Sequence, residues 1–307
     1  MKAFDLHCDT IPIIRRNGWD LVNDQCHVSI DKFAPFEHYV QCFAIAVNDR
    51  DRGQVAIDSY ETKLAYWKQQ AEKYSDRIFW AKSGKELETS DKPITAILTV
   101  ENACSLGGKF ERVEKFKKDG VAMMGLTWNS TNEVGSGINE NKGLSDFGKE
   151  VVKEIERLGM LIDTSHLSDA GFEDVVALAK GPIVASHSNA RAVCGQIRNV
   201  TDEQFKEIVR RGGFIGLNYF VKFICDDPEK ANFDEIYKHI EHFLSLGGEK
   251  AVALGSDFDG AKLPECLTGP DKNADFYEYL LKRGLSESLV QDIFYNNAMN
   301  VFKKYVL

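Results

Sequence analysis

Short apolar runs recur at intervals along the whole chain, and their number and spacing limit the folds that the chain can adopt. Each run is rich in aliphatic residues and gives way to polar or glycine-rich residues. Continuous apolar runs of this length are typical of strands that are buried on both faces. We therefore predict eight strands. They cover residues 3–8, 39–47, 94–100, 121–127, 161–165, 183–187, 214–219 and 251–256.

Amphipathic helical patterns fill the gaps between these runs. Strands that alternate with helices favour a parallel sheet, and eight such units predict an α/β fold of the (β/α)8 TIM-barrel type. Such a barrel commonly takes about 250 residues. Because no linker, repeat or low-complexity tract interrupts the pattern, we predict one domain over residues 1–307. The predicted helices cover residues 57–74, 145–158, 201–211, 233–246 and 285–304.

Two stretches depart from the minimal strand–helix unit. Residues 10–38 show only isolated turns of mixed character. Residues 128–144 are rich in Asn, Gly and Ser, which predicts a long loop after a strand. Long loops at the strand ends of a barrel often carry function.

Composition excludes several classes of partner. The chain has 47 acidic and 38 basic residues, a formal net charge of −9, and an acidic surface repels nucleic acid. No apolar run is long enough to span a bilayer, and the first ten residues lack the apolar core of a signal peptide. We therefore expect no nucleic-acid or membrane partner and a cytoplasmic location. The seven cysteines form no CxxC pair and are expected to be reduced and buried.

Side chains suited to metal binding or acid–base chemistry follow five of the predicted strands. In a (β/α)8 barrel, the C-terminal ends of the strands surround the active site. Because side chains alternate along a strand, His7 and Asp9 point to one side and can offer a nitrogen and an oxygen to one cation. Zinc binds imidazole nitrogens and carboxylate oxygens. The six candidates at strand ends are His7, Asp9, Glu101, His166, His187 and Asp257.

Each candidate alone also has a purely structural interpretation. Glu101 can equally be an acid at the start of a helix, and single histidines at strand ends are often satisfied core or surface residues. Asp257 can be a turn aspartate, although Asp259 suits that role better because it is next to a glycine. Asp5 is expected to orient His7 by a hydrogen bond rather than to bind metal. The remaining histidines are expected to face solvent from loops or helices; they are His27, His38, His239 and His242.

Taken in order, the segments DLHCDT, VENA, IDTSH, ASHSNAR with IRNVTDEQ, and GSDFDG resemble the motifs of the renal (membrane) dipeptidase family within the amidohydrolase superfamily. The resemblance extends from His7 to about Asn300, and both the order and the spacing of the motifs fit. It implies a metal-dependent peptidase that cleaves dipeptides and accepts a D-residue at the C-terminal side.

The resemblance also implies a ligand set for two zinc ions. His7 and Asp9 would bind the first Zn²⁺. His166 and His187 would bind the second, and Glu101 would bridge the two ions. The nucleophile would be a hydroxide that bridges the metals.

Three further residues receive roles from the same resemblance. Asp257 would accept the proton of the nucleophile and pass it to the leaving amine. Arg198, in IRNV, matches the arginine that holds the substrate carboxylate. Trp128 stands where eukaryotic members carry a substrate-contacting histidine, although the LTWN form is similar to bacterial relatives. We expect Trp128 to contact the substrate. The absence of the histidine weakens the assignment of the substrate more than that of the reaction class.

Two other functions stay open at this point. A deacylase of N-acyl amino acids on the same scaffold would also use Arg198, because its substrates end in a free carboxylate. A non-catalytic metal-binding protein would require a broken site, whereas all the inferred ligands are present. The oligomeric state is also open, with a homodimer as one candidate.

Overall fold

A computed structural model describes residues 1–307, with every side chain except that of Glu88. Its sheet has nine strands in the order β7-β6-β5-β4-β2-β1-β9-β8, with β3 paired to β4, and every pairing is parallel. The strands are β1 Lys2–Asp5, β2 His38–Ala46, β3 Ile78–Ala81, β4 Ile94–Glu101, β5 Val121–Gly125, β6 Leu161–Asp163, β7 Ile183–Val184, β8 Ile215–Leu217 and β9 Val252–Leu254.

The sheet curls until its two edge strands, β7 and β8, meet. Ala185, directly after β7, forms a parallel bridge with Ile215 of β8, and the N–H of Gly216 donates to the carbonyl oxygen of Ala185 at 2.8 Å. A side chain at Gly216 would collide with the backbone carbonyl of Ser186, so glycine lets the strands approach at this seam. The prediction of a (β/α)8 TIM-type barrel is confirmed.

The ninth strand, β3, was not predicted. It pairs with the first half of β4, from Ile94 to Ile97, whereas β5 pairs with the second half, from Leu98 to Val100. Since β2 occupies the other edge of β4 over its whole length, β3 and β5 share one edge. The four-residue run of β3 is shorter than the apolar runs that indicate buried strands, which is why the pattern did not reveal it.

All five predicted helices are present, and the last is divided by a π-helical turn, Asp292–Asn296. The predicted caps also occur: the side chain of Ser145 accepts a hydrogen bond from Gly148, and Thr201 and Gln204 form a capping box. The α-helices are α1 Thr10–Asn17, α2 Gly53–Lys73, α3 Arg112–Lys118, α4 Asp146–Arg157, α5 Asp169–Leu178, α6 Asp202–Arg210, α7 Val221–Ile224, α8 Phe233–Ser245, α9 Lys272–Lys282, α10 Glu287–Gln291 and α11 Asn297–Tyr305.

The expectation of isolated turns over residues 10–38 is wrong at its start. Helix α1 begins directly after Asp9 and ends at Gly18, which adopts the left-handed conformation with φ 67°. Its buried residues Ile11 and Ile14 anchor it to the core. The predicted loop over 128–144 is present, closed by a bridge between Gly135 and Leu144.

Candidate metal centre and substrate cavity

The six predicted candidates come together where the parallel strands end. The structure groups them in three overlapping sets, and within each set the potential ligand atoms lie within 4.8 Å of one another. The sets are His7, Asp9 and Glu101; Glu101, His166 and His187; and His7, His187 and Asp257. Because the first two sets share one carboxylate, the arrangement can hold two cations side by side.

Hydrogen bonds behind the rings fix which nitrogen of His166 and His187 faces the cluster. The amide oxygen of Asn129 accepts from Nδ1 of His166 at 3.0 Å. Ser186 donates its hydroxyl proton to Asp163 at 2.5 Å, so its oxygen accepts from Nδ1 of His187 at 2.6 Å. Both histidines therefore present the lone pair of Nε2 to the cluster.

The lone pairs on Nε2 of His166 and His187 point at each other and at the carboxylate of Glu101. The two Nε2 atoms lie 3.0 Å apart, and Nε2 of His166 lies 3.0 Å from Oε1 of Glu101. Burial lowers the pKa of His166 and His187 well below its ordinary value, which favours the neutral imidazole. Neutral rings with Nδ1 protonated have no hydrogen to place between these acceptors, so a cation is what stabilises the contact.

His7 and Asp9 form the other half of the cluster. Nε2 of His7 lies 3.4 Å from Oδ2 of Asp9 and 3.9 Å from Oε1 of Glu101. Nε2 of His7 and Oδ1 of Asp9 are buried without a hydrogen-bond partner among the described side chains. Burial acts to lower the pKa of His7, but Asp9, Glu101 and Asp257 outweigh it and raise the pKa to about 10. The site thus attracts positive charge and leaves ligand atoms free for it.

Glu101 connects the two halves. It is the last residue of β4 and lies within 4 Å of the facing nitrogens of three histidines, at 3.0, 3.6 and 3.9 Å from Oε1. Burial raises its pKa well above the ordinary value, and the neighbouring carboxylates of Asp9 and Asp257 add to the effect. Glu101 is thus a buried carboxylate that is shared by two of the candidate ligand sets.

Asp257 and His166 both adopt a left-handed backbone conformation, with φ 62° and 69°. Non-glycine residues rarely do so, and such strain concentrates at functional sites. Asn218 donates to Oδ2 of Asp257 at 3.1 Å, while burial, followed by the charge of Asp9, raises the pKa of Asp257. A side chain at Gly260 would collide with the carboxylates of Asp9 and Asp257, so only glycine allows the two to lie together.

The aspartates on either side of the ligands have supporting roles, as expected. Oδ1 of Asp5 accepts from the backbone N–H of His7 at 3.1 Å, so it orients the main chain rather than the ring. Asp259 accepts from the hydroxyl of Thr10 at 2.6 Å and from the backbone of His27 at 2.5 Å. It therefore fastens the segment after β9 to the start of α1.

A cavity of about 580 Å³ opens above the cluster. The structure places Trp128 on its wall, with its ring centroid 6.4 Å from that of His166. Phe220 and Phe223 line the cavity as well. The cavity is large enough for a small ligand and has aromatic walls above a polar floor.

Arg198 is buried, with only 4% of its surface exposed, rather than extended across the mouth of the barrel. Its Nη1 donates to the hydroxyl of Ser188 at 2.7 Å, and its guanidinium lies 5.9 Å from the ring centroid of Phe223. Nε and Nη2 have no hydrogen-bond partner among the described residues. Burial lowers the pKa of Arg198 to about 10, against the opposing effects of Asp257 and Glu101. Two unused donors on one planar group fit a carboxylate ligand.

The residues that orient the ligands were missed by sequence analysis. They are small polar residues that contact the motif histidines and aspartate; three of them lie within predicted strands, where nothing in their spacing reveals a role. The loop character of 128–144 was the one signal that pointed toward any of them. They are Asn129, Asp163, Ser186 and Asn218.

The expectation that four histidines face solvent is wrong for His239, which is fully buried. Its Nδ1 accepts from the backbone N–H of Ala190 at 3.1 Å, so Nε2 donates to the carbonyl oxygen of Ile224 at 2.7 Å. A histidine with both nitrogens satisfied can be buried without charge. The other three are half-buried and form hydrogen bonds: His27, His38 and His242.

The family model of the membrane dipeptidases, peptidase family M19, matches residues 1–306. An uncharacterised protein in the pqqA 5′ region of Klebsiella pneumoniae is 32% identical over 260 residues, which are 80% of this chain and 96% of the relative. The chain therefore belongs to the membrane dipeptidase family and is an enzyme of the metallo-dipeptidase class.

Solved structures share the fold over the whole chain. A dipeptidase of family M19 superposes with a TM-score of 0.95 at 24% identity, covering 100% of this chain and 99% of its own. A metallopeptidase from Rhodobacter sphaeroides, liganded with a phosphinate mimic of L-Ala-D-Ala, gives a TM-score of 0.93 at 23% identity and covers 99% of both chains.

Despite the family name, no helix in the described part of the chain combines the length and the apolar character needed to cross a bilayer.

The hydrogen bonds that connect His187, Ser186 and Asp163 form a relay, and this relay generates a prediction about metal affinity. Ser186→Ala removes the oxygen that holds Nδ1 of His187, so the ring is free to turn away. We expect metal affinity to fall by about 10–100-fold, the usual effect of losing such a supporting group. Titration of the chelated, metal-free protein with Zn²⁺ against a competing indicator measures this directly.

The matched control is Ser245→Ala, which removes a hydroxyl that donates to His242 at the end of α8, outside the cluster. An unchanged zinc affinity in Ser186→Ala would show that the relay does not set the orientation of His187.

Proposed function

We propose that this enzyme is a binuclear zinc dipeptidase that tolerates a D-residue at the C-terminal position of its substrate. The observation that carries the proposal is the position of Glu101, shared by two sets of ligands whose free lone pairs converge. His7 and Asp9 would hold one ion, and His166 and His187 the other. Zn²⁺ binds imidazole nitrogens and carboxylate oxygens in four-coordinate sites, and these small sets of ligands suit it. The ligand of the Rhodobacter sphaeroides neighbour, a mimic of L-Ala-D-Ala, supports the D-residue.

When bound, the metal supplies an activated water nucleophile and polarises the amide carbonyl. Asp257 lies beside the ligands with Oδ1 free of the hydrogen bond from Asn218, and its raised pKa suits a group that takes up a proton. We assign to it the transfer of that proton to the leaving amine. Arg198 then binds the terminal carboxylate with its two unused donors, which fixes the scissile bond above the cluster.

Trp128 closes one side of the cavity, where it would contact the substrate and exclude water. Its indole cannot replace an imidazole as a proton donor of matching acidity, so its role is one of shape. The cytoplasmic location, the single domain over residues 1–307 and a homodimer remain predictions from the sequence.

Metal removal tests the proposal as a whole. We expect close to two zinc ions per chain, loss of dipeptide hydrolysis on chelation and its return with a divalent metal. Zinc analysis combined with a panel of L,L- and L,D-dipeptides and N-acetyl amino acids measures content and substrate class together. Full activity after exhaustive chelation, or hydrolysis of N-acyl amino acids alone, would contradict the dipeptidase assignment.

Asp257→Asn should retain zinc but lose about 10²–10⁴-fold in kcat, because it removes the proton acceptor and preserves the shape of the side chain. Metal analysis and steady-state kinetics are made on the same preparation. The control is Asp275→Asn, an exposed carboxylate of α9. A variant within a few-fold of wild type would assign proton transfer to another residue.

Arg198→Ala should lower kcat/KM for a dipeptide by about 10–100-fold, since a charge-assisted bond contributes about 1.5–3 kcal/mol. A dipeptide amide, which has no terminal carboxylate, should be affected little. Arg198→Lys should restore only part of the rate, because an ammonium cannot form the two-pronged pair. Equal losses for the acid and the amide would mean that Arg198 does not bind the carboxylate.

A further inference from the structure

One wall of the cavity carries a cluster of positive charge that the mechanism leaves unused. Arg15 and Arg16 of α1 and Lys63 of α2 all line the cavity. Neither arginine side chain forms a described hydrogen bond or ion pair, and Nζ of Lys63 donates only to the neutral hydroxyl of Ser59, at 2.6 Å. In a chain of net charge −9, three cations without a carboxylate partner on one cavity wall are unexpected.

The acids of the same cavity do not neutralise this basic wall, defined as Arg15, Arg16 and Lys63. Asp9, Glu101 and Asp257 belong to the metal cluster, and Asp259 is engaged with Thr10 and His27. The last turn of α1 favours positive charge, because the C-terminal end of a helix carries about half a negative unit charge. This effect does not explain why the basic wall faces the cavity.

Lys63 is the most fixed member of the wall, since it is half-buried while the two arginines are exposed. Burial lowers its pKa, and the nearby charge of Arg15 acts in the same direction against Asp51. A ligand carboxylate between Lys63 and the arginines would relieve both effects. The position of three cations without a carboxylate partner on the cavity wall thus favours an anionic group over a neutral one at this place.

The strand order sets the direction of that anion relative to Arg198. In the ring β7-β6-β5-β4-β2-β1-β9-β8, three strands separate β2 from β7 on either side, so the two lie diametrically opposite. Arg198 follows β7, whereas Lys63 follows β2 and the arginines follow β1. A substrate whose carboxylate is held by Arg198 and which crosses the metal cluster would direct its other end toward the side of the barrel that carries the basic wall.

We propose that the basic wall is a specificity subsite for an acidic side chain on the N-terminal residue of the dipeptide. This inference rests on the proposed function, in which Arg198 holds the terminal carboxylate. The preferred substrates are then dipeptides that begin with Glu or Asp, and they carry a carboxylate at each end of the cavity.

The test compares kcat/KM for Glu-Ala and for the isosteric Gln-Ala, with zinc-loaded enzyme. We expect wild type to prefer Glu-Ala by about 10-fold, the contribution of one charge-assisted contact. Lys63→Met, and separately Arg15→Gln with Arg16→Gln, should each reduce this ratio to about 3-fold or less. High salt should reduce it in wild type too, because the arginines are exposed to screening.

The matched control is Lys68→Met on the same helix, a half-exposed lysine that faces Asp119 instead of the cavity. It should keep the full preference for Glu-Ala. A wild-type ratio near one, or a ratio that both wall variants leave unchanged, overturns the subsite. A preference for Ala-Glu over Ala-Gln in place of Glu-Ala also overturns it, since the wall would then face the C-terminal residue. An enzyme that hydrolyses no dipeptide overturns the proposed function and this inference with it.

Discussion

The convergence of buried lone pairs on Glu101 is the constraint around which the rest of the structure is arranged. A carboxylate beside the neutral rings of His166 and His187, whose facing nitrogens carry no proton, is unfavourable unless positive charge is supplied between them. The structure does not relieve the repulsion by turning the rings. Instead, the Nδ1 atoms of the rings donate hydrogen bonds to Asn129 and to Ser186, which is itself held by Asp163, and these bonds keep the rings in place. The fold therefore maintains an arrangement of side chains that a bound cation would stabilise.

The barrel makes this arrangement possible because it brings together residues that are distant in sequence. Glu101 ends one strand, His166 and His187 follow two others, and His7 and Asp257 lie at the join between β1 and β9. The cluster requires local strain as well, since two of its residues have a left-handed backbone. Parallel strands buried on both faces are rigid enough to maintain that strain.

The sequence predicted that the six candidate side chains would lie close together, because strand ends in a barrel meet at one rim. The same rule did not say which candidates would touch, and the structure shows that the rings of His7 and His187 are stacked with centroids 3.8 Å apart. The orienting residues could not be found in this way, because a serine or asparagine reveals its role only through its partner. The sequence pattern also missed β3, because its apolar run is short, and α1, because a segment of mixed character gives no periodic signal. The burial of His239 was missed because its two hydrogen-bond partners lie in distant segments of the chain.

Arg198 and the basic wall differ in how firmly their charges are held, and the difference has a chemical consequence. Arg198 is buried, hydrogen-bonded to Ser188 and packed near Phe223, so its free donors have a fixed direction. Arg15 and Arg16 are exposed and can follow a ligand. In the proposed function, the fixed charge of Arg198 would set the position of the scissile bond, which catalysis requires to be precise. A mobile charge recognises a carboxylate without imposing a position, so it can select for charge while accepting side chains of different length.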